Sequence, residues 1–473
     1  MTLAHEGQSA AAPGPPWPDT AAATLREQLD RLEAFGQLQH VDVVTDPRFE
    51  VAAVAQRASR GGPALRFRQI KGHQLDVVLG TDATRERIGL TLGVPPSEVA
   101  SRYLEALTSP IAPVVQASGP VKEVVRIGDD VDVLSELPVL THFEHDGGPY
   151  ITSGIVVAED PETGVRNVSY HRMQVCGPTD LRIVIVPRHL HAMQQKAEER
   201  GEALPVAVVL GVDSAVRLAA GTSGSVIPLG FDELAIAGAL KGRPEQMVRC
   251  ETSDVHVPAN AEIVIEGEIL PGVRADEGPF AEFAGTYKPV AKKHVFRATA
   301  MTRRKDAIYQ GLVTGTSEQL LLMGLPNEPV MTKAIRGVVP GVRDVHVTSG
   351  GLHKFHAIVS LEQRHAGDSK DAIIAAFASH RDVKLVTVVD HDVDPYDLDD
   401  VERAVAINFQ AARDLVLVDG GKGNPVDHSL RAGGTTSRMG IDATRSFGDS
   451  SQRHVRAVIP GASEISLAHY LDD

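Results

Sequence analysis

Two glutamates stand five residues apart in Asp276–Gly285, DEGPFAEFAG, with a Gly-Pro pair between them. Five residues along a helix turn through roughly 140°, and an odd step along a strand changes face, so no regular element brings both carboxylates to one place. A bend must do it. Gly278 accepts backbone angles closed to other residues, while Pro279 fixes φ and offers no N–H, so the pair can fold Glu277 and Glu282 toward one cavity. A surface turn carrying two solvated acids is the ordinary alternative, since glutamate is mostly exposed.

Other polar groupings invite the same question. In NVSYHRMQV, a β-like segment carries Asn167, Ser169, His171 and Arg172 together, and such groups need partners if they are buried. His189 follows the apolar strand LRIVIVP at the mouth of a helix, and Glu233 lies in the first turn of FDELAIAGAL, where the helix dipole alone favours an acid. Each has a structural account when taken singly. The acidic run VDHDVDPYDLDD sets Asp390, Asp392 and Asp394 on alternate positions, but it lacks the glycine and closing glutamate of a calcium loop and reads as a strand end and helix cap. No GxGxxG opens a helix and no GxxxxGK[ST] exists, which disfavours a standard NAD or P-loop enzyme. GGKGN at 420–424 reads as a loop.

The elements that position these groups follow from composition and periodicity. At 473 residues the chain has length for about three domains. Its 42% apolar and 23% charged residues are those of a folded globular protein. A formal charge of −15, few aromatics and no compact basic patch argue against nucleic acid as a partner. Two distant cysteines, Cys176 and Cys250, fit neither a disulfide framework nor a cysteine zinc site, which suits a reducing cytoplasm. No apolar run approaches the ~20 residues that span a bilayer. Residues 1–18 read as a Pro/Ala-rich disordered tail, and Asp19 as the cap of a helix built on Leu25, Leu29, Leu32, Phe35 and Leu38.

An N-terminal α/β region is expected over 19–118. From 119 to 316 the texture is β-rich, with SGIVVAED, NVSYHRMQV, LRIVIV, PVAVVLGV, AEIVIEGEIL and HVFRATAMT as strands, clustered as in a barrel-like or mixed sheet. Residues 317–473 alternate strands with helices as in a compact two-layer domain. The fold class is mixed α/β (α+β).

Taken in order, NVSYHR, PRH, IPLGFDE, VPANAEIVIEG, EGPFAE and RMGIDAT resemble the successive signatures of the UbiD family of decarboxylases, which use prenylated FMN. The resemblance runs from about residue 120 to about 447. It implies a split β-barrel flavin domain, an N-terminal α/β segment packed on it, and a C-terminal oligomerisation domain giving a homodimer or larger assembly. It implies a cofactor site of Asn167, Val168, Ser169, Tyr170, His171, Arg172, Arg188, His189 and Glu233. Within it Asn167, His189 and Glu233 would bind Mn²⁺, which tethers the cofactor phosphate, with K⁺ beside them at Val168, Thr222, Ser223, Ser225 and Glu233.

The same resemblance makes Arg172, Glu277 and Glu282 the catalytic set. The cofactor would act as electron sink as CO₂ leaves. Glu282 would be the proton donor, because a carboxyl against an apolar wall such as Phe280 and Phe283 retains its proton. Arg172 would orient the substrate carboxylate or pair with Glu277. The reaction implied is reversible and non-oxidative, on an aromatic, heteroaromatic or α,β-unsaturated acid. Ile183, Ile185, Phe283 and Asn327 at pocket positions incline it to a pyrrole, indole or phenazine type. A flavin prenyltransferase would supply the cofactor. Arg438 stands where the family pattern has lysine, and no lysine near VKLVTVV is assigned to the cofactor phosphate. An oxidoreductase using unmodified FMN and a non-catalytic cofactor-binding subunit are the rival readings.

Overall fold

The computed structural model describes residues 16–448 except 60, 161, 223–225 and 229, together with 457, 459–461, 465 and 470. Of the expected tail, residues 1–15 lie outside the described residues, as do Ser223 and Ser225. The first helix runs Leu25–Ala34 and buries Leu25, Leu29 and Leu32. Its cap is Thr24 rather than Asp19: the Thr24 side chain accepts from the Glu27 N–H, and its extended backbone lets it turn back on the first turn. Asp19 lies too far upstream of Leu25 to reach the same donors.

A small sheet orders the strands Leu38–Val41, Ala64–Phe67, Asp76–Leu79 and Ile308–Gln310. Its last strand comes from the far end of the β-rich segment, so the N-terminal region is completed by residues some two hundred positions away.

The β-rich segment forms a nine-stranded antiparallel sheet. Its path runs Tyr150–Ile151, Met173–Val175, Asp180–Ile183, Ala291–Arg303, Ile263–Glu277, Leu204–Leu210, Ile155–Glu159 and Arg166–Tyr170, and Val124–Ile127 pairs on Ala291–Arg303. Apolar residues of Leu204–Leu210 alternate between two cores: Val206 and Val208 face one, Ala207 and Val209 the other. An unbroken apolar run is what a strand covered on both faces requires. Arg166–Tyr170 ends the hydrogen-bonded path while Met173–Val175 lies near its opposite end, yet only His171 and Arg172 separate them in sequence. The sheet must therefore curl until its ends approach. The open seam between them is bridged by those two residues.

The C-terminal segment is a five-stranded sheet ordered Val342–Val347, His356–Leu361, Leu385–Asp390, Thr435–Asp442 and Leu415–Lys422, parallel across its middle three strands. The helices Asn327–Arg336 and Asp368–Ser379 contribute Met331, Ile335, Ile373 and Phe377 to its core. The acidic run ends a strand and caps a helix: Asp390 and Asp392 pair with Arg445, and Asp397 accepts from the first N–H groups of Leu398–Asn408. Cys176 and Cys250 are both free thiols. Among the described residues no helix is long and apolar enough to cross a membrane.

Candidate active site

The seam and the Gly-Pro bend meet. Glu277 ends the long strand Ile263–Glu277, and the next short strand, Phe280–Ala281, pairs with Tyr287–Lys288. Gly278 turns the corner at φ +101°, closed to residues with a side chain, and the peptide that follows it is cis. Gln174 clamps the corner, accepting from Gly278 N–H at 3.1 Å and donating to the Gly147 carbonyl at 2.8 Å. Gly147 must lack a side chain, since a Cβ there would stand 2.2 Å from the Gly278 carbonyl oxygen.

Arg172 reaches the bend from the seam. Its Nε and Nη2 donate to the two oxygens of Glu277 at 3.0 and 3.1 Å, and its Nη1 donates to Glu282. Tyr150 donates its hydroxyl to Glu277 at 3.1 Å, and the guanidinium stacks 4.4 Å over the Phe280 ring. Glu277 is buried, at 1% side-chain exposure, whereas Glu282 keeps 20%. Burial alone would lower the Arg172 pKa, but the paired carboxylates outweigh it and hold the guanidinium above its ordinary value. Glu277 thus fixes one edge of the guanidinium, and Glu282 sits on the other, nearer solvent. Phe280 is the apolar wall expected beside the acids. Phe283 lies further off, partly buried, with Lys354 Nζ 5.7 Å from its ring.

A cavity of about 260 Å³ runs beside the strand Arg166–Tyr170, lined by Asn167, Ser169, Tyr170, His171, Arg188, His189, Thr222 and Glu233 among others. Hydrogen bonds fix its orientation. The His171 Nδ1 faces the Val184 carbonyl at 2.8 Å and must donate, so Nε2 accepts from the Ser169 hydroxyl at 3.0 Å. Ser169 in turn accepts from the Asn167 amide nitrogen at 3.2 Å, leaving the amide oxygen of Asn167 for a cation. Burial drops His171 to about 4, consistent with a neutral ring.

His189 is the first residue of the helix His189–Glu199, and Glu233 opens Glu233–Lys241 behind its Asp232 cap. Glu233 is 3% exposed and accepts from Val168 N–H at 3.0 Å, and burial pushes its carboxyl up to about 8. An amide oxygen, an imidazole and a buried carboxylate calling for positive charge suit a hard divalent cation. Among the described residues no cluster of three or more His, Cys, Asp or Glu forms a metal cage, so the amide is needed to complete this set. Thr222 lines the same cavity, its hydroxyl bonded to Tyr103.

The four expected substrate-pocket residues are dispersed. Ile183 and Ile185 belong to the main core at 0% and 9% exposure. Asn327 lines a second, adjoining cavity, donating to the Met323 carbonyl at 2.9 Å while its Oδ1 is buried without a partner. Sequence reasoning missed Lys354, which lines both cavities from the turn before His356–Leu361. The lysine within VKLVTVV, Lys384, is instead tied to Asp427 at 2.9 Å and to Ser429. Arg438 donates to the carbonyls of Phe377 and Arg381, both at 2.7 Å.

Comparison with known proteins decides the family. Residues 113–317 match the 3-octaprenyl-4-hydroxybenzoate carboxy-lyase Rift-related domain, 29–107 the N-terminal domain and 320–443 the C-terminal domain of that group. The chain belongs to the UbiD family. It is a UbiD-family carboxy-lyase in fold and relatives alike. The anhydromevalonate phosphate decarboxylase of Methanothermobacter thermautotrophicus is 40% identical over 89% of this chain and 96% of its own. That of Methanosarcina mazei is 38% identical over 92% and 99%.

The UbiD-class enzyme HmfF from Pelotomaculum thermopropionicum, solved in complex with FMN, superposes with a TM-score of 0.91 at 43% identity, covering 95% of this chain and 100% of that one. An evolved dimeric form of HmfF holds prFMN, at 41% identity and TM-score 0.87, over 95% and 100%. The 3,4-dihydroxybenzoic acid decarboxylase AroY of Klebsiella pneumoniae superposes at 0.88 with 30% identity, over 94% and 99%.

Proposed function

We propose that this UbiD-family chain catalyses the non-oxidative, reversible decarboxylation of a small α,β-unsaturated acid that carries phosphate, using prenylated FMN. The observation that carries the reading is the meeting of Glu277 and Glu282 on Arg172, the residue that follows His171, which lines a cavity whose donor set suits a divalent metal. When bound, prenylated FMN supplies the electron sink that loss of CO₂ requires. Asn167, His189 and Glu233 would hold Mn²⁺ against the cofactor phosphate, with K⁺ near Val168 and Thr222. Ser169, Tyr170, Arg188 and Lys354 would line the cofactor.

The geometry divides the labour of the catalytic set. Glu277 occupies Nε and Nη2 of Arg172, so the guanidinium cannot turn. Its Nη1 edge is the place for a second carboxylate. A substrate carboxylate arriving there competes with Glu282 for the same donor and frees the Glu282 carboxylate to take up a proton from solvent. Once CO₂ departs, that proton goes to the carbon it left.

The substrate class follows the relatives named for anhydromevalonate phosphate. The inclination to a ring heterocycle loses its support where Ile183 and Ile185 pack into the core. An oxidoreductase using unmodified FMN remains the second reading, favoured by the FMN held in HmfF. We place the enzyme in the cytoplasm, as a homo-oligomer supplied by a flavin prenyltransferase. The edge strand Leu415–Lys422, with Leu417 exposed, favours such an assembly.

The reading is tested by producing the chain with and without a flavin prenyltransferase and following CO₂ release from phosphorylated unsaturated acids, aromatic acids and ring heterocycles. Release only with the prenyltransferase and only from the first class is expected. Turnover of heterocycles alone would reverse the substrate assignment, and bleaching of the flavin by NAD(P)H would favour the oxidoreductase.

A further inference from the structure

The second cavity, of about 320 Å³, lies between the β-rich segment and the C-terminal sheet. Arg188 forms one wall, His380, Arg381 and Asp382 the other, and Lys354 and Asn327 stand between. Among the described residues, Lys354 and Arg381 both approach the one carboxylate of this cavity, Asp382. Asp382 is 3.4 Å from Lys354 and 3.9 Å from Arg381, and one carboxylate cannot neutralise both.

The far wall is fixed. Arg438, through its bond to the Arg381 carbonyl, anchors that residue's backbone to the strand Thr435–Asp442. His380 accepts the Asp382 N–H on Nδ1 at 3.4 Å, which leaves Nε2 as the protonated donor of its neutral ring. The buried, unpartnered Oδ1 of Asn327 calls for a donor, which the P–OH of a phosphate monoester supplies. Neither Asn167 nor Glu233 lines this cavity; only His189 of the metal set does.

We propose that this interdomain cleft seats the phosphate group of the substrate, at a locus distinct from the metal set that takes the cofactor's phosphate. Guanidinium groups on the two walls match the oxygen array of a phosphate monoester monoanion, whose remaining P–OH faces Asn327 and which a single carboxylate would not fill. The inference rests on the phosphorylated-acid reading above. It adds that both domains contribute to substrate recognition, so that the phosphate end of the substrate is gripped across the seam between them.

The test uses metal- and flavin-loaded enzyme, in which the cofactor's phosphate already occupies its own locus. Binding of 3-butenyl phosphate, which has no carboxylate to lose, is measured by calorimetry for wild type, Arg381→Gln and Arg381→Lys. Flavin content is read from the optical spectrum. Kinetics are compared for a phosphorylated unsaturated acid and the same acid bearing a free hydroxyl.

Arg381→Gln is expected to weaken 3-butenyl phosphate binding roughly tenfold or more, as loss of a charge-assisted pair does, with Arg381→Lys between it and wild type. KM for the phosphorylated acid should rise by a larger factor than KM for the hydroxyl acid, with flavin content kept. Unaltered probe binding in Arg381→Gln, equal losses on both acids, or loss of flavin would overturn the assignment, the last by giving the cleft to the cofactor. If wild type decarboxylates neither acid, the functional reading fails, while probe binding still decides the cleft by itself.

Discussion

Arg172 holds Glu277 by two parallel hydrogen bonds, of 3.0 and 3.1 Å, across 105 positions of sequence, with Tyr150 closing the remaining approach to the carboxylate. The pair is the hinge of the account, because Glu277 fixes the guanidinium and leaves one edge of it for Glu282 or a substrate. Removing charge from the two acids should therefore have different consequences.

Glu277→Gln breaks a buried ion pair and is expected to cost about 3 kcal/mol of stability, seen as a lowered melting temperature, along with loss of activity. Glu282→Gln removes a partly exposed partner and should change stability by roughly 1 kcal/mol or less. Its kcat should nonetheless fall by about 10² to 10⁴, the usual contribution of a positioned acid. Equal melting losses in the two variants would contradict this division.

Glu233→Gln keeps the side-chain shape and removes the charge that a cation needs. Metal content, measured by elemental analysis after dialysis, should fall by about tenfold or more. In metal-free protein at pH 9 the same variant should melt higher than wild type. There Glu233 is ionised although its folded pKa stands near 8, so the folded state carries a cost that the unfolded chain does not. Below pH 4.5 the carboxyl is protonated in both states and the gap should close.

The two lysines give a sharper contrast. Lys354→Met should release flavin, raising its dissociation constant about tenfold or more, if the cavity that the ammonium lines with Asn167, His189 and Glu233 is the one proposed for the cofactor. Lys384→Met should leave flavin binding near wild type, because that side chain is spent on Asp427 and Ser429. Fluorescence titration with FMN separates them.

Acid stability should depend on buried neutral histidines. Burial lowers His142 and His353 to about 4, and Nδ1 of each has no hydrogen-bond partner. As pH falls below about 6.5 the unfolded chain takes up protons that the folded chain refuses, so stability declines down to about pH 4 and then levels. The full effect is roughly 3 kcal/mol for a completely desolvated ring. Urea unfolding across this window should be less steep in pH for His142→Phe, and an unchanged slope would refute the assignment.

Much of this fold was legible in the sequence because it is written in local periodicity. The two-sided burial of Leu204–Leu210 and the capped helix Glu233–Lys241 follow from the unbroken apolar run and from Asp232 and Gly242 at the helix ends. What the sequence withheld depends on tertiary closure. No local pattern says that Ile308–Gln310 completes the N-terminal sheet, nor that Lys354, in a glycine-rich turn, reaches a cavity built by another domain. The helix is capped by Thr24 and not by the expected Asp19, because the apolar periodicity marks the buried face of a helix and not its first turn. The Gly-Pro bend was readable because only a break in regular structure could bring Glu277 and Glu282 to one guanidinium.

The most direct measurement is solvent deuterium exchange into the decarboxylated alkene, by enzyme produced with a flavin prenyltransferase, in wild type and Glu282→Gln at equal flavin and metal content. The account predicts exchange at the carbon that bore the carboxylate in wild type, and its loss in the variant with Arg172 and Glu277 untouched. Undiminished exchange in Glu282→Gln would contradict it.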